Sequence, residues 1–233
     1  MGNAADNTQG AKADAASVKE IAKGIKGIVD AAGKAEGEKG DALKGVEADG
    51  GNGEANKDAG KLFKTSGGGA TAGDVEKAAT AVSAVSGKQI LKAIVDAAGA
   101  DAQEGAQAAN ATNPIAAAIG TAGDNAGNGF NNGGMQKNDK IAAAIVLRGL
   151  AKGGKFAAAD AAGAKKESVK GVVESAVSEM SAWLEAMIKA AGDAAKGGTG
   201  GETSIGDATN NQAGAQADAE SVKEIAKGIK GIV

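Results

Sequence analysis

From residue 165 to residue 191 apolar side chains return every third or fourth position without a gap: Val169, Val172, Val173, Ala176, Val177, Met180, Trp183, Leu184, Met187 and Ile188. Only an α-helix brings such positions onto one face. At 1.5 Å per residue the segment predicts a rod on the order of 40 Å long. It holds the only Trp, so it is expected to be the central strut, with Gly192 as its stop.

The remainder of the chain offers little else to build a core from. Aromatic residues make up 2% of the 233, and Gly numbers 39. Alanine favours helix because it loses no side-chain entropy there. Fully burying a large apolar side chain gains about 1.5–3 kcal/mol, and few are present. The expectation is therefore modest stability and long, thin packing. Formal net charge is −3, with 26 basic and 29 acidic residues interspersed, and Arg148 is the only arginine. Nucleic acid needs a basic patch to displace counterions, so it is not an expected partner. There is no Cys and no His. Disulfides, thiolate metal sites, thiol catalysis and His-based acid–base chemistry are excluded within these residues. No apolar run approaches the roughly 20 residues of a membrane span. The opening Met-Gly-Asn-Ala-Ala-Asp lacks the basic and apolar regions of a signal peptide. Asp6 stands where a myristoylation start wants Ser or Thr.

Along the chain, Ser17-Val-Lys-Glu20 has the form of a capping box. Val18, Ile21, Ile25, Ile28 and Val29 follow on one face, and Gly33 is the expected stop. Gly24 and Gly27 inside this helix mark either a close helix–helix contact or a weak, frayed segment. Residues 34–53 are loop-rich, with a short helix expected over 39–48. A helix is expected from about Glu54 to Phe63, and Ser66-Gly-Gly-Gly69 breaks the chain. The next begins near Asp74 with Val75, Ala78, Ala79, Val82 and Val85, is interrupted at Gly87, and continues over 88–98 with Ile90, Leu91, Ile94 and Val95. Asn113-Pro114 opens a short helix, Pro suiting the first helical position. Residues 120–134 form a Gly/Asn loop around Phe130. A helix from Asn138 to about Lys152 turns Ile141, Ala144, Ile145 and Leu147 inward.

Residues 14–29 read DAASVKEIAKGIKGIV and residues 218–233 read DAESVKEIAKGIKGIV, an offset of 204 with one change, Ala16 to Glu220. The second copy stops before the Asp-Ala-Ala-Gly that continues the first, a boundary better suited to a unit of gene than to a structural module. If both copies fold, Val18, Ile21 and Ile25 could pack against Val222, Ile225 and Ile229. A shorter echo, Ile-Val-Asp-Ala-Ala-Gly, occurs at 28–33 and 94–99.

Tests for chemistry return nothing specific. Gly60-Lys-Leu-Phe-Lys-Thr65 shares only fragments with a phosphate-binding loop, and Gly67-x-Gly69-x-x-Ala72 follows no strand. Gly50-Gly-Asn-Gly53 begins like a calcium-binding repeat, but Ala55 occupies the Asp position. Asn110-Ala-Thr112 fits a glycosylation acceptor, a motif common by chance. The abundant carboxylates read as solvated helix faces, and the mixed charge of those faces does not suit a membrane surface. No catalytic, cofactor-binding or metal-binding residue is assigned, and no cofactor is expected.

Residues 135–160, MQKNDKIAAAIVLRGLAKGGKFAAAD, closely resemble a shared segment of the variable large protein and Vls (VlsE-type) surface lipoprotein family of Borrelia. Asn113-Pro-Ile-Ala-Ala-Ala-Ile-Gly-Thr121 and Lys-Gly-Ile-Lys-Gly-Ile-Val-Asp-Ala-Ala-Gly of the first helix are similar to further shared pieces, so the likeness runs from about residue 17 to Gly192. The resemblance implies an all-α fold: a mainly helical elongated bundle with long Gly-rich loops and at most a few very short strands, here a single variable-antigen domain over 1–233. It implies a surface-exposed antigen of the outer membrane, used for immune evasion through cassette recombination, with host antibodies as partners and no catalysis. The terminal repeats at 14–29 and 218–233 then resemble the direct repeats at cassette ends. The family's lipoprotein signal and anchor Cys have no counterpart here, which implies a processed or engineered form, or a translated cassette. Matching variable loops are expected near 37–53, 66–73, 99–111, 120–134 and 192–216. The alternative is a host-component binding module, an adhesin, although no aromatic platform or basic cluster supports it. Ile141, Ile145 and Leu147 are expected to be buried and residues 135–160 largely hidden.

Overall fold

The computed structural model describes residues 9–35, 42–47, 51, 53–99, 104–125, 127, 129–158, 164–198 and 219–232. Its elements are α1 (Ala15–Ala35), a 3₁₀ helix (Gly53–Phe63), α2 (Ala72–Ser83), α3 (Gly87–Ala98), α4 (Pro114–Ile119), α5 (Asn138–Leu150), α6 (Ala164–Gly198) and α7 (Ala219–Ile232). The fold is all-α, as expected. The one extended pairing among the described residues is an antiparallel bridge between Ala11 and Lys155. Two compact units divide the chain, Met1–Lys26 with Gly45–Ala182, and Gly27–Lys44 with Trp183–Val233. The side-by-side packing expected of the two repeat copies concerns residues of different units, Val18, Ile21 and Ile25 in the first and Val222, Ile225 and Ile229 in the second.

In the first unit α5 is the centre. It packs against α2, α3, α4 and the 3₁₀ helix, while the 3₁₀ helix also packs on α2 and α3 on α4. Every residue from Ile141 to Arg148 is buried. The expected one-sided stripe is thus a helix covered all round, the behaviour of a segment apolar on every face. The run Ile-Ala-Ala-Ala-Ile-Val-Leu allows it, since alanine lets neighbouring helices approach from any side. The role of central strut expected for α6 therefore belongs, within this unit, to α5. Trp183 is only half-buried and Ile188 is 55% exposed, although Val169, Val173, Ala176 and Met180 are buried as the periodicity predicts.

Several helix ends differ from expectation. The cap of α1 is Asp14, whose Oδ1 accepts from the Ser17 N–H at 2.8 Å. Ser17 turns its hydroxyl outward instead, where Oγ accepts from the Lys152 N–H at 3.0 Å. The helix passes Gly33 to Ala35, and α6 passes Gly192 to Gly198, since glycine ends a helix only where a left-handed residue is required. Among the described residues neither Gly24 nor Gly27 has a neighbour within 4 Å of where a Cβ would stand, so no close helix contact among those residues explains them. Residues 42–45 form a turn in place of the expected helix, whose remaining residues 39–41 and 48 lie outside those described. Thr71 with Asp74 and Ser86 with Gln89 make two capping boxes, so α2 starts at Ala72 and Gly87 is the first residue of α3. Asn113 caps α4 through Ala116 N–H with Pro114 at the first position, as expected.

The helix expected at 54–63 is present but wound as 3₁₀ over 11 residues, long for that geometry. Two of its carbonyls are taken up from outside. Lys57 O accepts from Phe130 N–H at 2.8 Å and Leu62 O from Ala157 N–H at 2.8 Å. Buried Asn56 donates from Nδ2 to Asn138 Oδ1 at 3.0 Å, fastening the helix to the start of α5.

Candidate functional site: a buried arginine beneath exposed loops

The sole arginine is the largest fully buried side chain among the described residues. Arg148 is 0% exposed. Its Nε donates to Ala118 O at 2.9 Å, Nη1 to Phe63 O at 3.0 Å, and Nη2 to Ala117 O at 3.3 Å and Ile119 O at 3.4 Å. The last carbonyls of a helix have no partner within it and carry its negative pole. A planar guanidinium with five donors meets three of them at the end of α4 and one more at the end of the 3₁₀ helix. The guanidinium carbon also lies 4.6 Å from the centre of the Phe63 ring. Phe63 in turn meets Phe130 at 5.3 Å and Phe156 at 5.5 Å between ring centres. All three phenylalanines thus form one cluster, with Phe63 lying against the cation, a concentrated core where thin packing was expected. Burial pushes the arginine down to about 9, against which the Asp124 carboxylate acts, so it remains a cation at neutral pH.

Asp124 ties the loops above this centre together. It is 2% exposed. Its Oδ2 accepts from the Ala108 N–H at 2.7 Å, and its carbonyl accepts from the N–H groups of Thr65 and Ser66 at 2.8 and 3.0 Å. Its own N–H donates to Thr65 Oγ1 at 2.9 Å, and that hydroxyl donates to Thr121 O at 2.7 Å. Three of the loops expected to vary are therefore held at one acidic residue. Between the anchors they face solvent. Gly67, Gly68, Gln107, Asn110, Thr112, Gly123, Asn125, Gly127, Asn131 and Gly133 are exposed.

The loops expected to vary are not uniformly free. Phe130 is 0% exposed. Gly120 has φ +68 and Gly129 φ +64, a region costly for any side chain. A Cβ on Gly120 would strike Arg148 Nη2, and one on Gly129 would strike Lys57 O. Residues 135–158 behave as expected: Met135, Ile141, Ile145, Leu147 and Phe156 are all 0% exposed, while Lys152, Gly153 and Lys155 reach the surface.

Among the described residues no group of three or more His, Cys, Asp or Glu could hold a metal ion. A groove of about 490 Å³ between α2 and α6 is lined by Ala79, Thr80, Ser83, Ser168, Gly171 and Ser175, with Glu76 its one ionisable side chain. At the α2 boundary, burial alone would raise the Asp74 carboxyl. Hydrogen bonds from the Thr71 N–H and hydroxyl, and the Lys61 ammonium at 3.2 Å, more than offset this and hold it below its ordinary value. Burial would likewise lower Lys61, but Asp74 and Asp58 leave it raised.

Residues 1–194 match the family model described as Borrelia lipoprotein. Variable large protein 21 of Borrelia hermsii is 38% identical over 162 residues, 68% of this chain and 42% of that protein. Variable large protein 25 of the same organism is 40% identical over 164 residues, again 68% and 42%. The chain thus spans about two fifths of the length of these curated relatives. The crystal structure of the Lyme disease variable surface antigen VlsE of Borrelia burgdorferi superposes with a TM-score of 0.67 at 46% identity, covering 77% of this chain and 64% of that one. No described helix is long and apolar enough to cross a membrane.

Proposed function

This chain belongs to the Borrelia lipoprotein family, and we propose that it is a surface-exposed variable antigen that evades immunity by antigenic variation, without catalysing a reaction. In this reading host antibodies are its partners, the outer membrane surface is its location, and a lipid of the family type attaches it. The repeats at 14–29 and 218–233 mark the edges of a recombining stretch of gene.

The observation that carries the reading is the contrast between Arg148 and the residues above it. The Arg148 guanidinium and the Asp124 carboxylate find their hydrogen-bond partners inside the first unit, so the loop tips are not needed to complete them. Substitution at exposed, unpacked positions usually changes stability by less than about 0.5 kcal/mol, which leaves such positions free to change under antibody pressure. Kinship with proteins named as variable surface antigens supports the absence of catalysis.

Sequences from clonal isolates test it. Replacements should gather at Gly68, Gln107, Asn110, Asn131 and Gly133, and avoid Gly120, Asp124, Gly129, Phe130 and Arg148. Changes spread evenly over both groups would refute the proposal.

A further inference from the structure

The repeat begins four residues before Asp14 and Asp218. Before α1, residues 10–13 are Gly-Ala-Lys-Ala, and before α7, residues 214–217 are Gly-Ala-Gln-Ala. The segments 10–29 and 214–233 therefore differ at two positions, Lys12/Gln216 and Ala16/Glu220. Both Lys12 and Ala16 are exposed.

The first copy has a well-defined seat in the first unit. Gly10 N–H donates to Lys64 O at 2.9 Å, Ala11 and Lys155 exchange hydrogen bonds at 3.1 Å, and Ala13 N–H donates to Ile119 O at 2.9 Å. Asp14 N–H donates to Lys152 O at 2.8 Å, and Ser17 Oγ receives the Lys152 N–H. A Cβ on Gly10 would stand 2.5 Å from Lys155 O, so glycine is required there. Ala13, Val18, Ala22 and Ile25 are buried at 2%, 0%, 0% and 5% exposure. Every one of these requirements is met again in the second copy, by Gly214, Ala217, Asp218, Ser221, Val222, Ala226 and Ile229. Yet Val222, the counterpart of wholly buried Val18, is 52% exposed in α7.

We propose that the seat of residues 10–26 is an interaction surface for a second copy of this chain, whose segment 214–233 enters it by exchange for the first copy. The chemistry of recognition is already visible, since the same buried side chains and backbone bonds would be remade. Such an exchange has little intrinsic cost, the general basis of swapped assemblies.

Cysteine pairing tests this directly, because the chain has no Cys of its own. Ser17→Cys with Lys152→Cys in one chain is the control; it should close a disulfide and show the pair is within reach. Full-length Ser221→Cys and Lys152→Cys proteins are then mixed under mild oxidation, and mixed dimers are identified by mass spectrometry. A 221–152 disulfide between chains is expected. Val222→Asp should lower its yield roughly tenfold or more, the loss that follows from forfeiting a buried valine. Because Val222 is exposed, that variant should fold. Gly214→Val should reduce the yield as well, while Glu220→Ala should leave it within about twofold. If the control closes and no mixed disulfide forms, or if its yield ignores Val222→Asp, the proposal fails. A Ser221→Cys/Lys152→Cys chain that closes only on itself would also overturn it.

Discussion

At the residue scale two side chains bear most on stability. Replacing Arg148 by Met would strand the carbonyls of Phe63, Ala117, Ala118 and Ile119 and leave Asp124 without its countercharge. A cost of about 3–5 kcal/mol is expected, by analogy with breaking a buried ion pair, and urea denaturation would measure it. Lysine should rescue little, since it lacks the planar fork. The second is Asp74. Its carboxyl is held below the ordinary value of 3.8 in the folded chain, so its contribution is present above that pH and fades as pH falls through the folded value. Lys61 is raised above 10.5, so its contribution is present below that pH and fades on going more alkaline. Asp74→Asn should therefore destabilise at pH 7 and matter progressively less below pH 3.8, as paired denaturation curves would show. Neither role was legible beforehand. A lone arginine in an alanine helix looks like a surface residue, and its partners at 63 and 117–119 are brought to it only by the packing of three other elements.

At the element scale much was legible. The periodic runs expected from about 74, over 88–98, from 138 to about 152 and over 165–191 are all helical, because patterns of three and four fix a face whatever the tertiary context. The ends were less legible, since Asp, Ser and Thr compete as caps and the winner depends on what else each can bond. Ser17 is the instance: its hydroxyl serves Lys152, and Asp14 takes over the cap. Glycines were hardest to read. Gly24 and Gly27 face open space, so Gly24→Ala and Gly27→Ala should each raise stability by roughly 0.5–1 kcal/mol. Gly149 is the opposite case. A Cβ there would collide with Cγ1 of Val173 on α6, so Gly149→Ala should cost about 1–3 kcal/mol. The double variant with Val173→Ala should recover part of that loss in a double-mutant cycle.

At the scale of the whole molecule the family was legible in long segments such as 135–160, and the division into two compact units was not. Two of its boundaries fall inside α1, at Lys26, and inside α6, at Ala182, where the apolar periodicity of the sequence runs on unbroken. Within the first unit protection from hydrogen exchange should follow burial. Amides of Ile141 to Leu147 are expected to exchange far more slowly than those of Gly68 or Gly133, and mass spectrometry of peptides can rank them.

The wholly buried Arg148 has one more consequence. A protease that cuts only after arginine has a single peptide bond to attack in all 233 residues, Arg148–Gly149, in the interior of the first unit. The native chain should resist it, and each cleavage should leave pieces of 148 and 85 residues. Where reclosing outpaces cutting, the digestion rate reports how often the centre opens. The protein thus carries its own single-site clock for opening, one that can be read on a gel without a label, and loop substitutions of the kind proposed to accumulate should leave it running at nearly the same pace.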